Sequence, residues 1–84
     1  MPEISRFYGI LIKMYFTKAE HNPPHFHAIY GEKMAEIDIN TLKVIVGDLP
    51  QKALAIVLEW AQKYQDDLLR IWESQVFTAI PPLE

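Results

Sequence analysis

Eighty-four residues, half of them hydrophobic, with four Tyr, four Phe and two Trp, predict one globular domain near the lower size limit for a core built without disulfides or a partner. The absence of cysteine excludes a disulfide scaffold and any thiolate metal or redox site, so a metal would need His, Asp or Glu. The net charge of −3 lacks the basic footprint of a nonspecific nucleic-acid binder.

Charge is unevenly placed. Residues 1–43 carry five basic and five acidic side chains, and residues 44–84 carry three and six. Nucleic acid is therefore an indirect partner at most. Met1-Pro2-Glu3 brings no basic region and Lys13 breaks the apolar run from Phe7 to Phe16, so no signal or transit peptide is expected. The longest apolar helical run, Ala53 to Leu58, falls far short of the roughly 20 residues that span a bilayer. The expectation is a soluble cytoplasmic protein with no membrane partner.

Tyr8, Ile10, Ile12, Met14 and Phe16 alternate with Phe7, Gly9, Leu11, Lys13 and Tyr15, the period of a strand over 7–16. Thr17 to Pro24 reads as a loop, because the paired prolines lack donors and push their predecessors to extended geometry. His25 to Tyr30 is a second strand, Gly31-Glu32 a two-residue turn with Gly first, and Lys33 to Ile39 the returning strand. This register sets Phe26 against Ile37 and Ala28 against Ala35 on one face, and His27 against Glu36 and His25 against Asp38 on the other. A second tight turn at Asn40-Thr41 returns Leu42 to Val46, with Ile37 opposite Val44 and Asp38 opposite Lys43.

Asp48 then caps a helix, with Gln51 as reciprocal partner and Pro50 in the first turn. Leu54, Val57, Leu58, Ala61, Tyr64, Leu68 and Trp72 recur at helical spacing. A break near Tyr64 or Gln65 lets Asp66-Asp67 cap a second helix, and Ile80 to Leu83 forms an extended tail against the sheet edge. Trp60 and Trp72 are expected in the core. The predicted fold is α+β, a four-stranded antiparallel sheet in the order β-β-β-β-α-α with one face covered by the C-terminal helices.

Chemistry concentrates in Glu20 to Ala28, which holds all three histidines and a third of the prolines. The open sheet face would show His25, His27, Glu36, Asp38, Lys13 and Tyr15. Three readings stand side by side. His21, His25 and His27 with Asp38 or Glu36 offer nitrogen and oxygen ligands for a divalent metal such as zinc or nickel. His25 and His27 could instead act as general acid and base in metal-independent RNA cleavage, with Lys13 or Arg6 stabilising the developing charge. Or the face, with Arg6, Lys13, Tyr15 and Glu36 as ligand-binding groups, docks a partner. Against these stands an ordinary surface role, since a His–carboxylate pair across two strands is worth roughly 0.2–1 kcal/mol.

The strings Ile4-Ser5-Arg6-Phe7-Tyr8-Gly9-Ile10, His21-Asn22-Pro23-Pro24-His25-Phe26-His27-Ala28, Gly47-Asp48-Leu49-Pro50 and Leu58-Glu59-Trp60 together resemble a family of short bacterial proteins catalogued as a domain of unknown function. The resemblance covers nearly the whole chain. It implies a gene pair with a second small protein, hence a toxin–antitoxin-like or regulatory module, but no established activity. Leu42 stands where the family's turn usually has Gly. A small protein partner or a homodimer is expected from the short chain and the mixed open face.

Overall fold

The computed structural model describes residues 3–14, 24–74, 76 and 78–82. Its elements run β1 (Glu3–Phe7), β2 (Ile10–Lys13), β3 (His25–Tyr30), β4 (Lys33–Asp38), β5 (Val44–Gly47), α1 (Gln51–Lys63) and α2 (Gln65–Ser74). The strands form one antiparallel sheet in the order β1-β2-β3-β4-β5. The fold is α+β with two C-terminal helices, and the sheet has five strands where the sequence predicts four.

The extra strand arises because the stretch predicted as one strand over 7–16 folds back at Tyr8-Gly9. Phe7 pairs with Ile10, Arg6 with Leu11 and Ser5 with Ile12. Tyr8 and Gly9 both have positive φ, 52° and 77°, the pattern of a type I′ hairpin turn. So short a turn leaves no polar gap in the apolar alternation, which is why the pattern reads as continuous. Left-handed backbone costs a tyrosine about 1 kcal/mol, whereas Asn tolerates it. Tyr8→Asn is therefore expected to raise the unfolding free energy in urea by about 0.5–1 kcal/mol. A decrease would mean that the edge-on contact between Tyr8 and Phe7, with ring centroids 6.4 Å apart, outweighs the backbone term.

The β3–β4 hairpin has the predicted register at every pair from His25–Asp38 to Tyr30–Lys33. Gly31 opens its turn at φ 62°, as a type II′ turn requires of its first residue. The next connection is wider than predicted. Asp38 N–H donates to Lys43 O (2.9 Å) and Leu42 N–H to Asp38 O (2.8 Å), closing a loop over 39–42 in which Leu42 sits at φ 58°. Ile37 meets Val44 as expected, but a bulge then sets Val46 against Glu36. Val46 thus moves off the core face predicted for it, and Val44 and Val46 are both exposed.

The core lies between one sheet face and the helices. Ile10, Ile12, Met14, Phe26, Ala28, Ala35, Ile37 and Ile39 are buried from the sheet. Ala53, Val57, Trp60 and Ala61 close over them from α1, and Leu68 and Ile71 from α2. The buried stripe of α1 is centred one residue from the predicted one, so Leu54 and Leu58 are only partly covered. Trp60 is fully buried, 5.4 Å from the Phe7 ring and 5.9 Å edge-on to Phe26. Each such side chain contributes roughly 1.5–3 kcal/mol by leaving water.

The helix boundaries follow local chemistry. Pro50, not the predicted Asp48, takes the N-cap position of α1 and makes no side-chain cap bond. Its fixed φ of −54° presets the turn instead. The break falls at Tyr64 as predicted, and Asp66 and Asp67 occupy the first turn of α2, where negative charge complements the helix dipole. Gln65 Nε2 donates to Ile39 O (2.7 Å) and Asn40 O (3.1 Å), fastening the helix junction to the β4–β5 loop. The tail lies on the β1 edge: Ile80 N–H donates to Ile4 O (3.0 Å), and the Trp60 indole donates to Pro81 O (2.9 Å).

Candidate metal centre

The hairpin register builds the site. Successive residues of a strand point to opposite faces, so burying Phe26 and Ala28 turns His25 and His27 to the face away from the core. β4 sets Glu36 opposite His27 and Asp38 opposite His25. β2 sets Lys13 on the other side of His27, and β1 sets Glu3 beyond Lys13. One row across the sheet therefore reads Glu3, Lys13, His27, Glu36, Val46. The neighbouring row reads Arg6, Leu11, Ile29, Met34.

Within this face both imidazoles converge on one carboxylate. His25 Nε2 lies 3.7 Å from Glu36 Oε1 and His27 Nε2 lies 3.4 Å from Glu36 Oε2. One ligand atom from each of the three residues falls within 4.8 Å of the others. Two ligands of a tetrahedral zinc, each about 2.0–2.1 Å from the ion, stand about 3.4 Å apart. The His–Glu separations already match that spacing. Both imidazoles are largely shielded from water and Glu36 is half-buried. The rings of His25 and His27 are 5.4 Å apart, and the Trp72 ring of α2 lies 5.2 Å from that of His25. A metal-bound imidazole against an indole is thereby restricted in orientation.

Burial lowers the pKa of His27 below the usual 6.5, and the nearby His25 acts in the same direction, against the Glu36 carboxylate, which raises it. At neutral pH His27 is the neutral imidazole that a metal or a proton can use. The sign of the linkage follows. A folded pKa below the unfolded one means that the unfolded chain binds more protons, so His27 contributes stability that is present above about pH 6.5 and is lost as pH falls through the folded value. The expected result is a melting temperature that declines between about pH 7 and 5, with a shallower decline in His27→Gln. Equal slopes in the two proteins would contradict it.

The remaining predicted residues separate. Asp38 uses Oδ1 to accept the backbone N–H groups of Asn40 (2.7 Å) and Thr41 (3.0 Å), holding the loop after β4. It shares the face of His25 but lies outside the cluster of three. The Asp-x-Asn-Thr string at 38–41 is a recognisable turn signal and would have pointed to this role. Arg6 is exposed and sits 3.2 Å from Glu3 Oε1. Lys13 is half-buried beside His27. His21 and Tyr15 lie outside the described residues. Sequence reasoning missed the packing of Trp72 on His25, since helical spacing alone places Trp72 with the core stripe.

Fold and site together define a small α+β domain with an imidazole–carboxylate cluster on the open face of an antiparallel sheet. The family model described as Domain of unknown function (DUF4160) matches residues 9–73, well over half of the chain, and the protein belongs to this family. Comparisons with curated proteins and with solved structures give no match.

Proposed function

We infer that the protein is a divalent-metal-binding domain that holds zinc or nickel through His25, His27 and Glu36. The observation that carries this reading is the convergence of three ligand atoms, from two adjacent strands, within 4.8 Å. Imidazole and carboxylate donors suit both metals. A set of two His and one Glu leaves at least one coordination position for a water or a ligand, and His21 in the preceding loop is a candidate fourth donor. Lys13 beside His27 would favour a ligand with negative charge. Such a site fits the binding half of a toxin–antitoxin-like or regulatory pair, with the partner or ligand completing the metal's shell. Titration with zinc and with nickel tests the ligand set: Glu36→Gln is expected to lower affinity at least about 100-fold, because it removes the one charged ligand. Unchanged affinity would take Glu36 out of the set.

A second reading uses the same imidazoles without a metal. The lowered pKa of His27 suits a general base at neutral pH, and Lys13 beside it could stabilise charge on a phosphate during RNA cleavage. That reading requires a cleavage activity with a bell-shaped pH profile that survives chelator and disappears in either His25→Ala or His27→Ala. Absence of cleavage of single-stranded RNA, with metal bound, leaves the first reading alone.

A further inference from the structure

The two edges of the sheet are treated differently. On β1 the chain's own tail supplies a partner through the Ile80–Ile4 hydrogen bond. On the outer side of β5 no strand or tail pairs among the described residues. The three residues that begin this edge are Val44, Ile45 and Val46, and they are 37%, 44% and 50% exposed. Natural edge strands are usually guarded by charges or proline placed on the strand itself. Here the bulge between β4 and β5 is the one such device, and the strand carries no charge. Its charges stand at the two ends instead: Lys43 immediately before it and Asp48 immediately after it.

That arrangement is self-complementary. An antiparallel pair of two identical strands related by a two-fold axis at Ile45 sets Ile45 against itself and Val44 against Val46 of the second copy. Each Lys43 then lies beside the Gly47-Asp48 end of the other copy, twice over by symmetry. We propose that β5 pairs antiparallel with β5 of a second copy of this chain, joining two five-stranded sheets into one across a two-fold axis. The seam buries the valine and isoleucine side chains and satisfies the outer backbone groups. A two-fold perpendicular to the sheet keeps both copies' His25–His27–Glu36 faces on the same side, with Val46 between each site and the seam. The dimer would offer a partner two equivalent sites on one surface.

Sedimentation velocity in the presence of chelator tests this independently of metal binding. A seam of four residues per copy is small, so the expected dissociation constant is on the order of micromolar. Lys43→Asp or Asp48→Lys alone places like charges together and is expected to weaken the dimer about tenfold or more, while the double exchange Lys43→Asp plus Asp48→Lys restores it to within about threefold. Ile45→Lys is expected to give a monomer with a native circular dichroism spectrum. Wild-type protein that stays monomeric up to millimolar concentration overturns the proposal. So does a dimer that tolerates Ile45→Lys, that forms only with metal, or whose charge variants are not rescued by the exchange.

Discussion

Replacing Gly47 by alanine is expected to destabilise the fold by about 3 kcal/mol or more, read as a drop in melting temperature of roughly 15 °C. Two effects add. Gly47 sits at φ 76°, where a Cβ costs about 1–2 kcal/mol. A Cβ there would also stand 2.1 Å from Met34 O and 3.3 Å from Ala35 Cα, and these are backbone atoms of the neighbouring strand that cannot swing away. Relief requires β5 to move off β4, breaking the Asp48 N–H to Met34 O bond. Overpacking of this kind typically costs about 1–3 kcal/mol. For a domain whose whole stability is about 4–12 kcal/mol, such a loss is a large share. Gly31→Ala is the control: its φ is also positive, at 62°, but no atom lies within 4 Å of the added Cβ. It should cost only the backbone term, about 1 kcal/mol. Equal losses in the two variants would show that contact with β4 does not matter.

The double substitution His25→Ala plus His27→Ala is expected to abolish metal binding altogether, a change of at least about 1000-fold in affinity, because a single carboxylate cannot hold zinc or nickel at neutral pH. The single variants separate the two residues. His27→Ala removes a ligand whose place between Lys13 and Glu36 leaves the core untouched. His25→Ala also removes the ring packed on Trp72 and so should lower apo-protein stability by about 1–2 kcal/mol as well. Affinity loss in His27→Ala with little change in apo stability would be the signature of a ligand.

Much of this arrangement was legible in the residues. The β3–β4 register followed from one condition, that Phe26, Ala28, Ala35 and Ile37 share a buried face, and a strand period of two then fixes where the histidines and acids stand. The helix break followed from Asp66-Asp67 beside a stripe that falters at Tyr64. What escaped notice involves geometry that apolar pattern does not record. Tyr8-Gly9 makes a hairpin without interrupting the alternation. The bulge in β5 reverses the face of Val46 without changing composition. The choice between Glu36 and Asp38 was decided by the Asp38 carboxylate accepting two backbone amides of its own turn, which turns one of two equivalent-looking acids toward the loop. The approach of Trp72 to His25 depends on how α2 docks, a long-range outcome that helical spacing cannot specify.

The most direct measurement is the metal content of protein purified without a histidine tag and dialysed against metal-free buffer, determined by plasma mass spectrometry for the wild type and for His25→Ala plus His27→Ala. A metal-binding domain is expected to retain or take up one equivalent of zinc or nickel per chain in the wild type and none in the variant, with both proteins folded by circular dichroism. A wild type that takes up no metal, or a variant that takes up the same equivalent, would contradict the proposed centre.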